Sequence, residues 1–227
     1  MNAVHVRCPA KINLTLEILG RRSDGYHELR TVFQALSLYD ELTVAPAEQD
    51  ALTVTGLPGA PADDSNLCLQ ALRLFRSRSD TAGPVAVMLH KCIPMQAGLG
   101  GGSSDAAGML VALERLYPRS RGGRPAPAGE AAHPTGPEGN VHDVARLAAQ
   151  LGSDVAFFLH GGAMLGSGRG ELLEPVPSLC EGALVLALPP VTMGTTEAYG
   201  LIGPEDYTDG SRTTRLVASL RAGSALP

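Results

Sequence analysis

The sequence predicts an α+β fold, and three observations predict it. Apolar and polar residues alternate at Ile12, Leu14, Leu16 and Ile18 against Asn13, Thr15 and Glu17, the period of a half-buried strand. Val85, Val87 and Leu89 alternate in the same way just before a cluster of glycines. Other segments repeat at helical spacing instead, among them Leu67, Ala71 and Leu74, and then Ala106, Leu110 and Leu113. At 227 residues the chain is long enough for one large or two small domains.

In chain order, residues 4–8 read as a strand, followed by the strand over 12–18. In that second strand Lys11 and Asn13 share the face opposite the apolar residues. Asp24-Gly25 marks a turn. Residues 31–44 read as extended, then helical or irregular, then extended again, with Asp40-Glu41 in a solvated turn. A short strand follows at 52–55. Asp64-Ser65-Asn66 offers N-cap chemistry to the next helix. The helix after the glycines spans about 103–116, and Asp105 suits the dipole of its first turn. Residues 118–140 are rich in Pro, Gly and Ala and are expected to form a flexible insertion. A helix is expected over 142–151, a strand from Val155 after Asp154, and a hairpin turn at 166–170. Residues 183–188 read as a buried strand, 195–199 as a helix or turn, and 216–220 as a last short helix.

Composition narrows the function classes. Hydrophobic content of 44 % with 18 % charged residues is that of a soluble globular protein. A net charge of −5 argues against a broad nucleic-acid-binding surface. With 4 % aromatic residues and no Trp, stacking platforms for single strands are not expected either. Cys8, Cys68, Cys92 and Cys180 form no C-x-x-C pair and no zinc spacing, so four reduced thiols are expected. The N-terminus lacks a signal-peptide pattern, and no apolar run approaches the roughly 20 residues of a membrane span. The expectation is a cytoplasmic protein with no nucleic-acid or membrane partner, acting on a small molecule as a monomer or weak homodimer.

The most informative stretch is PMQAGLGGGSSDAAG, residues 94–108. Gly98, Gly100, Gly101 and Gly102 fall within five residues, between a strand and a helix. Glycines admit positive φ and leave no Cβ to hold a ligand away, and a helix start presents unpaired N–H groups. Together they make an anion site, usually for phosphate. The loop is no Walker A sequence, because no lysine follows the glycines. Its spacing is not G-x-G-x-x-G, and Ser103 and Ser104 do not lie in G-x-S-x-G.

Three segments, PAKINLTLEILGRRSDGYHEL, PMQAGLGGGSSDAAG and GSDVAFFLHGGAMLGSGRGE, together with the weaker PPVTMGTTEAY, resemble the GHMP family of small-molecule kinases in order and spacing. The first segment is similar to the branch that acts in the non-mevalonate isoprenoid pathway. The resemblance implies a ribosomal protein S5 domain 2-like N-terminal domain over 1–153 and a ferredoxin-like C-terminal domain, here partial, over 154–227. It implies ATP with Mg²⁺, and transfer of a phosphoryl group to the 2-hydroxyl of a cytidine-diphosphate-linked methylerythritol. By the same resemblance Asp154 matches the catalytic base and Lys11 the lysine that acts with it. Pro94, Met95, Gln96, Ala97, Gly98, Leu99, Gly100, Gly101, Gly102, Ser103 and Ser104 match the ATP phosphate loop, and Asn66 and Lys91 match positions near the adenine. Asn13, Tyr26 and His27 match residues that hold the acceptor, with Thr195 and Tyr199 completing that pocket. No metal ligand is assigned.

The sequence departs from the family pattern at three places. Ala156 stands where the family usually has proline, and Gln96 where it usually has a small residue, so Gln96 is expected to point outward. The third glycine-rich segment, G-[ST]-G, is not found before Pro227. The expectation is a second domain short of some strands and helices, with apolar surface left exposed.

Overall fold

The computed structural model describes residues 2–79, 82–118, 141–179, 182–188 and 194–223. The predicted insertion at 118–140 and Cys180 lie outside the described residues, except for Pro118. The chain divides into two compact units, interleaved in sequence. The first comprises residues 1–10, 37–95 and 100–160, and the second residues 11–36, 96–99 and 161–227.

Two long strands, β1 (Val4–Arg21) and β2 (His27–Pro46), pair with each other and contribute to both units. In the first unit the end of β2 runs antiparallel to β4 (Val85–Lys91), with Leu42 opposite Leu89 and Val44 opposite Val87. β4 runs parallel to β3 (Ala51–Gly56), and α1 (Leu67–Arg76) makes the crossover that a parallel pair requires. α2 (Gly101–Leu116), α3 (Val141–Leu151) and α4 (Val155–His160) complete the unit. α2 packs on α1, α3 and α4. Ala106, Met109, Leu110 and Leu113 on α2 are all fully buried. Gly108 lets α2 approach β1: a Cβ there would lie 2.5 Å from Cys8 Sγ.

In the second unit residues 29–34 of β2 pair antiparallel with β5 (Ala163–Gly168), which pairs with β6 (Leu172–Val176). The turn predicted at 166–170 falls later: residues 166–168 still belong to β5, and residues 169–171 connect the hairpin. α5 (Thr195–Gly200) and α6 (Ser211–Arg221) follow. Val32, Ala163, Val176, Leu216, Val217 and Leu220 form the core of this unit.

Several expectations from sequence are corrected. Residues 31–44 do not break into two strands: β2 is continuous over 20 residues. Asp40 is therefore in no solvated turn, but points inward beside Leu42 and Val44 and is fully buried. Residues 155–158 are the start of the helix α4, not a strand. Asp105 lies beyond the first turn of α2, which begins two residues earlier than expected, and is buried. Residues 183–188 form no strand and are exposed, Val185 to 93 %. They pair with no strand among the described residues, so their apolar side chains lack the sheet that would bury them.

β1 also departs from simple alternation. Buried positions fall on even residues up to Ala10 and shift to odd ones from Lys11, so Leu16 is exposed and Glu17 is buried. The Glu17 carboxylate has a partner there. It accepts the Thr213 amide at 2.6 Å, in the first turn of α6, whose N-cap Gly210 offers no side chain. Burial works against the charge. The Thr213 hydrogen bonds outweigh it and hold the Glu17 carboxyl below its ordinary 4.5.

Two outcomes follow from this packing. Gly108→Ala is expected to lower stability by about 1–3 kcal/mol through overpacking against Cys8, measured by urea unfolding. Because the folded Glu17 is the stronger acid, its contribution is complete above about pH 4.5 and lost as pH falls through the lowered folded value. Glu17→Gln is then expected to flatten the pH dependence of the thermal midpoint below about pH 5.

Candidate nucleotide and acceptor sites

The glycine segment adopts the backbone that its sequence demands. Gln96, Gly98 and Gly100 have φ of 53°, 71° and 72°, all left-handed. A Cβ on Gly98 would meet nothing within 4 Å, so the demand there is conformational and not steric. Gly100 is the N-cap of α2, and its carbonyl accepts the Ser104 amide at 2.9 Å. The loop thus passes directly into a helix start, where first-turn amides and the macrodipole favour an anion. Gln96 is exposed, as expected for a side chain pointing outward.

Beneath the start of α2, the first unit holds a buried ion cluster. Lys91 Nζ donates to Asp40 Oδ2 and, at 2.6 Å, to Asp105 Oδ2. Burial works against the Lys91 charge, but the Asp105 and Asp40 carboxylates hold its proton, above the ordinary lysine value of 10.5. Burial pushes the Asp105 carboxyl up to about 7; Lys91 opposes the shift and Asp40 adds to it. Lys91, matched by resemblance to a position near the adenine, is 1 % exposed, with its ammonium committed to these carboxylates. Asn66 is committed as well: Oδ1 accepts the Cys68 amide as the N-cap of α1, and Nδ2 donates to the Pro61 carbonyl.

In the second unit Lys11 begins a directed chain of hydrogen bonds. Its Nζ donates to Asn13 Oδ1 at 2.8 Å, and Asn13 Nδ2 donates to Thr31 Oγ1 at 2.6 Å. Thr31 in turn donates to the Thr15 carbonyl at 2.6 Å. The chain fixes the Asn13 amide and holds the ammonium 5.3 Å from the centre of the Phe33 ring. Lys11 and Asn13 share a face, as strand spacing requires.

The same unit holds the aromatic residues of the β1–β2 turn. Asp24 accepts the Tyr26 amide, and Arg22 pairs with Asp24 and Glu28. His27 stacks on Tyr199 with centroids 5.5 Å apart and meets Tyr207 edge-on. The Arg169 guanidinium lies 4.7 Å over the ring of Tyr26, which stays 55 % exposed. Thr195 is the first residue of α5. Asp154, in the first unit, is half-buried in the turn between α3 and α4, immediately before Val155.

Thr31, Arg169 and Tyr207 carry no site signal in the sequence, and Asp40 reads there as a turn residue. Asp40 had a readable signal, since it shares inward parity with Leu42 and Val44 once β2 is taken as unbroken. Among the described residues no group of three His, Cys, Asp or Glu side chains is placed to hold a metal ion. Also among the described residues, no helix is long and apolar enough to cross a membrane.

Comparison with known proteins agrees with this geometry. Residues 66–162, from the N-cap of α1 to the start of β5, match the GHMP kinases N-terminal domain. A 4-diphosphocytidyl-2-C-methyl-D-erythritol kinase of Kineococcus radiotolerans is 43 % identical over 82 % of this chain and 53 % of its own length. One from Deinococcus radiodurans is 38 % identical over 98 % of this chain and 69 % of its own. A crystal structure of a 4-(cytidine 5'-diphospho)-2C-methyl-D-erythritol kinase superposes with a TM-score of 0.71 at 34 % identity, over 99 % of this chain and 74 % of the other. The chain spans about half the length of most of the curated relatives it matches. A left-handed glycine loop opening a helix, in a chain this similar across nearly its whole length, places the protein in the GHMP kinase family, on the branch whose members are named 4-diphosphocytidyl-2-C-methyl-D-erythritol kinases.

Proposed function

We propose that this chain transfers the γ-phosphoryl group of ATP to the 2-hydroxyl of 4-diphosphocytidyl-2-C-methyl-D-erythritol. The observation that carries the reading is the left-handed loop at Gln96, Gly98 and Gly100 running into α2, in a chain 34 % identical to a solved kinase of that name. Phosphoryl transfer asks a protein chiefly for positioning and charge stabilisation, and a loop of backbone amides at a helix start supplies both. Residues 94–104 are the proposed phosphate cradle. Mg²⁺ comes with the nucleotide in this reading, neutralising phosphate charge.

Asp154 is the proposed general base. The 2-hydroxyl oxygen attacks the γ-phosphorus, the bond to the β-phosphate oxygen breaks, ADP leaves, and the hydroxyl proton passes to the Asp154 carboxylate. Lys11 is the proposed cation that steadies the charge developing on the attacking oxygen. The chain through Asn13 and Thr31 supports this role by fixing where the ammonium points. Tyr26 and His27 are the proposed contacts for the cytidine end, with Asn13, Thr195 and Tyr199 beside the methylerythritol. Their support is the stack of His27 on Tyr199 and the exposed ring of Tyr26.

The alternative reading is nucleotide binding with little or no transfer.

Coupled ADP release by the purified 227-residue chain, with Mg-ATP and the cytidyl substrate, separates the two readings. The kinase reading expects substrate-dependent release, reduced roughly 100-fold or more in Asp154→Asn and in Lys11→Ala. A folded chain that binds Mg-ATP and releases no ADP supports the second reading. Tyr26→Ala is expected to raise KM for the cytidyl substrate by about tenfold, with kcat and KM for ATP little changed. A kcat loss without a KM change would remove Tyr26 from substrate binding.

A further inference from the structure

We propose that the buried cluster of Asp40, Lys91 and Asp105 is the positioning device of the glycine loop, holding both of its ends, and that a polyphosphate on the loop binds together with one proton on this cluster. The proposal rests on the reading of residues 94–104 as the phosphate cradle.

The cluster touches both ends of the loop. On the incoming side Asp40 Oδ1 accepts two consecutive amides, Cys92 N at 2.6 Å and Ile93 N at 2.8 Å, where β4 ends and the loop begins. On the outgoing side Lys91 Nζ lies directly under the first residue of α2. A Cβ on Gly101 would stand 3.3 Å from Nζ and 3.1 Å from Ile93 Cγ2. The same ammonium donates to Asp105, the fifth residue of α2. A carboxylate from β2 and one from α2 therefore meet on a single lysine, and the distance between Ile93 and Gly101 is set by that bridge and not by the loop itself.

The charge of the cluster does not balance. One ammonium faces two carboxylates, all of them nearly inaccessible to water, so full ionisation leaves one uncompensated negative charge. The other groups that face Asp105 add none. The Cys8 thiol on β1 and the Cys68 thiol on α1 are both pushed well above their ordinary value, first by burial and then by Asp105, and stay neutral. Asp105 Oδ1 accepts no hydrogen bond, and a hydrogen bond between the Asp105 and Asp40 carboxyl groups adds to the pull for one proton. An unpartnered oxygen suits a carboxyl better than a carboxylate. Asp105 is accordingly the group that carries the proton, with its midpoint pushed up to about 7.

A polyphosphate at the start of α2 brings more negative charge to the same end of the helix. It favours the state in which Asp105 is neutral, and by reciprocity its binding raises the proton affinity of Asp105. The sign is fixed: protonated Asp105 goes with tight binding, ionised Asp105 with weak binding.

The test is calorimetric titration of the folded 227-residue chain with Mg-ATP, in two buffers of different ionisation enthalpy near pH 7. The expected result is net uptake of part of a proton, with affinity about tenfold weaker near pH 8.5 than near pH 6. Asp105→Asn keeps an acceptor for Lys91 and is expected to abolish both the uptake and the pH step, which also corrects for titration of the nucleotide. Lys91→Met unties the two ends of the loop and is expected to raise KM for ATP more than it lowers kcat. The wild-type chain also permits a direct reading by carbon-13 resonances. The Asp105 carboxyl should titrate near pH 7 in the free chain and higher when Mg-ATP is bound. Binding without proton uptake, or an Asp105 carboxyl that ionises in the ordinary range, overturns the proposal and leaves the phosphate loop standing. A folded chain that binds no Mg-ATP at any pH overturns the phosphate loop and this proposal with it.

Discussion

One ammonium, that of Lys91, is the interaction on which the first unit depends most. It is 1 % exposed and bonded to carboxylates from two different elements, β2 and α2. Desolvating such ionisable groups costs several kcal/mol for each ion, and a well-packed apolar trio of similar volume is often as stable. Stability alone is therefore a poor reason to have it. Apolar contacts, however, are non-directional, whereas the hydrogen bonds that tie Asp40 to the Cys92 and Ile93 amides and Lys91 to Asp105 depend on both distance and angle. The cluster trades desolvation energy for a fixed geometry where a strand becomes a loop and the loop becomes a helix. The proposed phosphate cradle needs that precision, because its amides would act only if they already point at the anion.

The second unit solves a related problem with neutral groups. Lys11 is 8 % exposed, and its charge is oriented by Asn13, which is oriented by Thr31, which is anchored to the Thr15 carbonyl. Each member donates to the next, so the direction of the whole chain is determined at its fixed end, a backbone carbonyl. Two residues further along β1, Glu17 places a full negative charge against the first turn of α6. Polar groups thus occupy the inward positions of this part of β1, and they do so because each has a partner.

The legible part of the fold was the part written in local pattern. Helices α1, α2, α3 and α6 follow from apolar spacing and from the cap at Asn66, and β3 and β4 from alternation. What could not be read depended on partners distant in sequence. Asp40 looks like a turn residue beside Glu41 until Lys91, 51 positions away, is known to meet it. Glu17 reads as the solvent face of a strand because its partner Thr213 lies 196 residues on. The shift of buried parity at Ala10 and Lys11 has no local marker, since both residues are simply buried. Residues 183–188 fail in the opposite sense: the apolar alternation is there and the pairing strand is not, among the described residues. At the site, a glycine loop running into a helix was legible, but the start of α2 at Gly101 and the left-handed φ of Gln96 were not, and Asn66 and Lys91 are committed to a cap and an ion cluster. The family habit of proline at position 156 also becomes intelligible. That position lies in the first turn of α4, where proline costs no hydrogen bond and alanine is an equally good helix former.

Gln96 shows how far local preference yields at the loop. Among the described residues it is the one non-glycine with positive φ, and the left-handed region costs a residue with a Cβ roughly 1–2 kcal/mol. Nothing in the side chain repays that cost, for it points into solvent. The repayment must come from the backbone on either side. Downstream, Leu99 is buried and its carbonyl accepts the Lys11 amide, while Gly100 caps α2. Upstream, Ile93 is buried and held by Asp40. Both flanks are thus tied, and any residue with a Cβ at position 96 meets the same left-handed cost. A glutamine is tolerated because its Cβ faces outward. A glycine at this position would avoid that cost, whereas any other small residue would not.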